Sequence, residues 1–332
     1  MRQLPDEQTP APDYPNGCAD LADLVATLDP AIPVFVLIDP MLGEPIPAAD
    51  SRADWHRDVV PVTLHPSVTL PPHQHPYLVA LEGIDDPLLE TTLEIAHGER
   101  TVRLSLGLKG HGGAAHRVGG WLQSSMHSDQ LAGQLSAMFR VKTDARTSAT
   151  YLRLIDRRVL GLLRHLIGDE RLGGQFGRLQ SWTYLGPLGR LATLRSRTEE
   201  VTPIRLSEAE WVYMGQGDAI HRTIKQLLGE LGSAPVGAHL QEPQLYTRAG
   251  NALDEASRIA DQWPQRFKQL QDKTTWAVLS MLFPDLANAE PIQRLLQEQG
   301  TTGSPPDPLM YAYPEICELA LEYVAARRQI SH

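Results

Sequence analysis

The chain has 332 residues, of which 42% are apolar and 21% charged, and it carries a formal net charge of −10. That length exceeds what a single hydrophobic core fills economically, so two lobes are expected. The acidic balance weighs against nucleic acid and against an anionic membrane surface as partners, because both are bound through clusters of cationic side chains.

Residues 1–17 are polar and proline-rich and lack the apolar stretch of a secretory signal, so they read as a loose leader, with a first helix completing a segment 1–30. Pro33 to Asp39 is a short apolar run closed by Asp39-Pro40, the form of a buried strand. Pro76 to Leu81 is a second such run. Asp86-Pro87 then starts a helix with Leu88, Leu89, Leu93 and Ala96 on one face, ending at Gly98. Val102, Leu104, Leu106 and Leu108 alternate as a half-buried strand would, and the glycine-rich stretch Gly107 to Gly120 reads as a loop.

Ser128 begins a helix with Leu131, Leu135, Met138 and Phe139 on one face, ending near Lys142. Tyr151 to Ile155 reads as a strand and Asp156 as the cap of a helix whose apolar stripe, Val159 to Ile167, stops at Gly168. Leu179 to Leu185 and Arg190 to Arg195 form a hairpin about Gly186-Pro187-Leu188-Gly189. The sheet is expected to end there.

Beyond Pro203 only helical patterns follow. Ser207 and Glu210 make a capping box. Helices are expected around Ile220 to Leu231, over Ala249 to Phe283 with a break or kink at Pro264, over Pro291 to Gln299 and over Pro314 to Arg328. The expected fold is therefore α+β: residues 31–203 form a mixed β-sheet lobe with packed helices, and residues 204–332 an all-helical lobe.

Cys18 and Cys317 are the only cysteines, which supports neither a disulfide framework nor a zinc cluster and fits a reducing cytoplasm. No apolar run reaches the ~18 to 20 residues of a membrane-spanning helix. Of the 12 histidines, His65, His73 and His75 are the densest group, and a metal-dependent hydrolase built on them is one reading; solvent-facing loop histidines among prolines are the other. The stretch Lys109 to Gly113 lacks the Gly-Lys-Ser/Thr order of a phosphate-binding loop, and Ser124-Ser125 lacks a nucleophile elbow. Arg153 and Asp156 form a local polar pair within an apolar run, where a charge needs a partner. Trp211, Tyr213, Trp263 and Trp276 fall outside the clearest core stripes and are candidate partner-binding anchors, since aromatic side chains dominate many interfaces.

Several of these segments resemble the adaptor or effector-chaperone family of type VI secretion, catalogued as a domain of unknown function. Phe35-Val36-Leu37-Ile38-Asp39 is similar to that family's opening strand, Pro76-Tyr77-Leu78-Val79 to its next segment, and Trp121-Leu122-Gln123-Ser124-Ser125 to the lead into its central helix. Arg153-Leu154-Ile155-Asp156-Arg157-Arg158-Val159-Leu160 resembles its most specific stretch, with Arg157 where the family has proline. Phe176 and Trp182 stand where a phenylalanine and a tryptophan follow. The resemblance spans about residues 33 to 200. It implies a cytoplasmic adaptor, neither an enzyme nor a cofactor binder, that holds a type VI effector protein and delivers it to the valine-glycine repeat spike protein, VgrG. Trp182 is a candidate partner-binding residue, together with Arg153 and Asp156, whose charges serve either a structural pair and helix cap or a polar contact to a partner. A toxin-neutralising immunity protein would share the same binding logic.

Overall fold

A computed structural model describes residues 18–46, 59–64, 68–101, 116–144, 148–231, 242–283, 286–297 and 308–330. The leader 1–17, the alternating stretch 102–108, His65 and Lys109 to Gly113 lie outside the described residues. The fold is α+β, with an antiparallel six-stranded sheet and helices that dominate the C-terminal part. Two compact units divide it: one takes Met1–Val141, Ala149–Arg157 and Asp169–Ile204, the other Lys142–Ser148, Arg158–Gly168 and Arg205–His332. Among the described residues no helix is long and apolar enough to cross a membrane.

In the first unit, strands β1 (Val34–Ile38), β2 (Val59–Pro61), β3 (Tyr77–Ala80), β4 (Val118–Ser124), β7 (Leu179–Leu185) and β8 (Leu191–Arg195) lie in the order β2-β3-β1-β4-β7-β8, and every neighbouring pair is antiparallel. β1 has no polar position because it is a central strand buried along its whole length, and a strand covered on both faces reads as a continuous apolar run. Val34, Val36 and Ile38 share one face with Val118, Trp121 and Leu185. Helices α1 (Leu21–Thr27) and α2 (Pro87–Thr101) cover that face through Leu24, Leu28, Leu89, Leu93 and Ala96. Each of those leucines stabilises the fold by about 1.5–3 kcal/mol relative to exposure. Phe35 and Leu37 point the other way, where Leu37 and Ile155 both crowd the Cα of Gly119. Helix α3 (Ser128–Met138) packs against β2 and β3.

β4 corrects the sequence reading most sharply, because Val118 to Gly120 belong to a fully buried central strand and not to a loop. Leu37 pairs with Gly120 and Ile38 with Val118, so Gly119 is an extra, bulged residue. A side chain on Gly119 would meet Ile155 at 2.8 Å. One on Gly120, which has φ of +131°, would meet the Thr183 carbonyl at 2.4 Å and the Trp182 ring at 2.8 Å. The Trp182 indole occupies that space and donates from Nε1 to the Gly119 carbonyl at 3.1 Å. Glycine here marks a bulge and a close approach, which is its other meaning inside a strand.

Smaller corrections have similar causes. α2 runs through Gly98 to Thr101; a helix-interior glycine costs only about 1 kcal/mol, and the buried His97 and Glu99 on either side are hydrogen-bonded. α3 stops at Met138, and Arg140–Thr143 form strand β5. Strand β6 is only Thr150–Tyr151, its two residues pairing with Val141 and Arg140 of β5. Leu154 and Ile155, expected in a strand, are buried in a turn closed by Asp156 N–H donating to the Arg153 carbonyl at 3.0 Å. The hairpin β7–β8 turns at Gly186 to Gly189 as read, with Gly189 at φ of +75°. Helix α4 (Arg157–Gly173) leaves helical geometry at Gly168, where φ is +75°.

In the second unit, strand β9 (Arg205–Leu206) pairs in parallel with Lys142 and Thr143 of β5, so strand structure reappears beyond the expected boundary at residue 203. Ser207 and Glu210 then cap α5 (Glu208–Gly215) reciprocally: Glu210 N–H donates to Ser207 Oγ at 3.3 Å, and Ser207 N–H to Glu210 Oε2 at 2.8 Å. Helices α6 (Gly217–Leu231), α7 (Glu242–Gln262), α8 (Leu270–Leu282), α9 (Glu290–Gln297) and α10 (Tyr313–Ile330) follow. Trp263 and Pro264 fall between α7 and α8, at the expected break. α6 and α7 both pack on α8, whose residues 274–279 are buried without interruption. Buried Asp272 holds the start of α8: its carboxylate accepts from the N–H groups of Lys268 at 3.0 Å, Gln269 at 2.9 Å and Met310 at 3.2 Å.

Candidate functional site

Asp39 follows the last residue of β1, where the strand leaves the core, and it is 1% exposed. Its Oδ1 accepts from Met41 N–H at 3.1 Å and its Oδ2 from Arg153 Nε at 2.7 Å, with a second contact from the same guanidinium. Arg153 thus pairs with a residue 114 positions away, not with the nearby Asp156 that its sequence position suggested. Asp156 is itself buried, and its charge acts on Asp39 as a repulsion. Burial raises the Asp39 carboxyl above its ordinary range, and Arg153 opposes that without cancelling it. Tyr151, close by, is pushed up to about 12 by burial and by the Asp39 charge.

A second buried carboxylate, Glu99, is linked to it through Arg117. Asp39 N–H donates to the Arg117 carbonyl at 2.7 Å. Arg117 in turn gives Glu99 Oε1 its own N–H at 3.0 Å and its Nε at 2.9 Å. Arg157 reaches Glu99 Oε2 at 3.3 Å, the Ala96 carbonyl at 2.6 Å and His116 Nδ1 at 2.8 Å. Burial raises Glu99 as well, against the pull of Arg157 and Arg117. All four carboxylate oxygens of Asp39 and Glu99 therefore already accept hydrogen bonds, which suits a brace at the sheet end better than a free general base. Arg157 completes the Glu99 half of this brace.

Trp182, singled out from the sequence, is wholly buried against the β4 glycines and offers no surface to a partner. Trp276 is likewise wholly buried in α8, edge-on to Phe267 at 5.9 Å. Trp211 and Trp263 are half-buried. Of the candidate histidines, His73 is exposed in a short 3-10 turn and His75 Nε2 lies 3.0 Å from the Leu70 carbonyl. Among the described residues no group of three or more His, Cys, Asp or Glu is arranged to hold a metal ion.

Tyr213 sits differently. It is half-buried on α5, donates from its hydroxyl to the Tyr246 carbonyl at 3.2 Å, and its ring fills the notch at Gly250, where a Cβ would come 2.5 Å from the hydroxyl. Burial, and then Asp254, raise its phenol pKa. Behind it Tyr246 is stacked on His165 at 5.5 Å and meets His221 edge-on at 5.6 Å. Burial lowers the His165 pKa, keeping that ring neutral to a lower pH. No local pattern singles out His165, His221 or Gly250; their meeting depends on how α4, α6 and α7 pack. In front of Tyr213 lies an open groove of about 590 Å³ lined by Glu208, Ala209, Val212, Tyr213, Gln216 and Asp254.

Comparison with family models, with curated proteins and with solved structures finds no match to this chain.

Proposed function

We propose that this chain is a non-catalytic, cofactor-independent cytoplasmic adaptor of type VI secretion, which binds a cognate effector and loads it onto the VgrG spike. The observation that carries the reading is the Asp39–Arg153 ion pair. Those two residues come from the two segments on which the resemblance chiefly rests, the opening strand and the Arg-containing stretch before α4. A motif whose distant parts interlock in one brace is accounted for as a fold-determining signature, and a shared signature of that kind is what a family of scaffolds would carry. The acidic charge and the half-exposed helices after Ser207 suit a protein that works through its surface.

Co-expression of the full chain with the product of the neighbouring effector gene and with VgrG tests the proposal. A complex that survives size-exclusion chromatography is expected, burying on the order of 1,200–2,000 Å² for a stable pair. Separate elution of three folded proteins would count against the reading.

A further inference from the structure

The groove in front of Tyr213 has a charge pattern that specifies its occupant. Two of its lining residues, Glu208 and Asp254, are exposed carboxylates, and the lining contains no cationic side chain. Val212, also in the lining, is 58% exposed, a large apolar side chain left open to solvent. Tyr213 supplies an aromatic ring fixed by Gly250 and by its hydrogen bond to the Tyr246 carbonyl, so its position costs nothing further to order on binding. Glu208, Ala209, Val212 and Tyr213 lie on one face of α5, and Gln216 caps its end. α5 has no fully buried residue, so its groove-lining face stands open to solvent.

We infer that this groove is a docking site for a basic amphipathic segment of a protein partner, with an arginine or lysine held between Glu208 and Asp254 over the Tyr213 ring and an aliphatic side chain on Val212. The chemistry follows from the lining. Paired carboxylates attract a guanidinium or ammonium, an aromatic face adds cation–π attraction, and an amphipathic helix laid in a groove delivers both kinds of side chain at helical spacing. An acidic segment would meet uncompensated repulsion there. The inference rests on the adaptor reading only in assigning the segment to the cargo; the groove's preference for cations stands on its own residues.

The test uses the full chain with its valine methyls isotopically labelled, and a short acetylated peptide of Leu, Ala and Arg at helical spacing, alongside the same peptide with Glu for Arg. Saturable shifts of the Val212 methyl resonances are expected with the Arg peptide and none with the Glu peptide, and the shifts should weaken with added salt. The double variant Glu208→Gln/Asp254→Asn should bind the Arg peptide about tenfold more weakly. Both positions are exposed, so folding is checked by an unchanged melting temperature. The charge-reversed variant Glu208→Lys/Asp254→Lys should turn the preference toward the Glu peptide. Absence of saturable shifts at Val212, equal binding of the two peptides, or an undiminished affinity in the double variant would each overturn the inference. The two readings fail separately: effector capture that is equal in native chain and double variant removes the groove and leaves the adaptor, whereas Arg-peptide binding without effector capture does the reverse.

Discussion

Replacing Arg153 by alanine probes the brace at the end of β1. The change leaves the Asp39 carboxylate, 1% exposed, with Met41 N–H as its remaining charge-compensating donor. Breaking a buried ion pair by removing one partner costs about 3–5 kcal/mol. The Arg153 side chain is 24% exposed, so water enters more easily than in a sealed site, and a loss of about 2–4 kcal/mol is expected at pH 7. Asp39→Asn/Arg153→Ala should recover much of that, because the amide carries no charge and still accepts from Met41. The pH dependence gives a second handle. Asp39 is already raised above 3.8 by burial with the guanidinium in place, and removing Arg153 raises it further. A carboxyl with a raised folded pKa takes up its proton first in the folded state, so stability is regained as pH falls through that folded pKa and the gain ends near the unfolded value. Urea unfolding followed by tryptophan fluorescence, with Trp121 and Trp182 both buried in this unit, measures all three proteins at pH 7 and pH 5. An Arg153→Ala loss below 0.5 kcal/mol, or a double variant no more stable than the single one, would refute the reasoning.

Three further outcomes are expected. Gly120→Ala combines a φ of +131° with a Cβ placed 2.4 Å from the Thr183 carbonyl, so it should destabilise by about 3 kcal/mol or more; a melting temperature within one degree of the parent contradicts the packing described for Trp182. Asp272→Ala removes the acceptor for three backbone N–H groups at the start of α8 and should cost at least about 3 kcal/mol, read by circular dichroism in urea, while Asp272→Asn should cost less. His97 donates from Nε2 to the Ala19 carbonyl at 2.8 Å and its pKa is lowered, chiefly by burial. A histidine with a lowered folded pKa stays neutral while the unfolded chain takes up a proton, so its contribution is lost as pH falls below about 6.5. Thermal melts between pH 7.5 and 5.5 should therefore fall less steeply for His97→Gln than for the parent, and equal slopes would contradict that assignment.

Elements with a complete local signal were legible in the sequence. β1 and β3 showed as apolar runs bounded by proline, the β7–β8 hairpin by its Gly-Pro-Leu-Gly turn, and α5 by the reciprocal Ser207–Glu210 cap. β4 was not, because Gly119 and Gly120 carry the usual mark of a loop and their true reason, the Trp182 ring lying over them, is a tertiary contact. The three-residue edge strand β2 was missed for want of length. Charge pairing was legible only as a need. Arg153 plainly required a partner, yet the nearest acid in sequence was not the one that β1 delivers, and Glu99 with Arg157 gave no local hint at all. At the α5 groove the sequence marked Tyr213 as an aromatic off the core stripes; that Gly250 and Asp254 flank it follows from the packing of α7.

The proposed hand-over of a cargo to a secretion spike is open to a single measurement, effector export from cells lacking the chain. VgrG should still leave such cells while the effector stays behind, the producing cells should survive, and expression of the chain from a plasmid should restore export. Undiminished effector export, or poisoning of the producing cells by their own effector as loss of an immunity protein would cause, contradicts it.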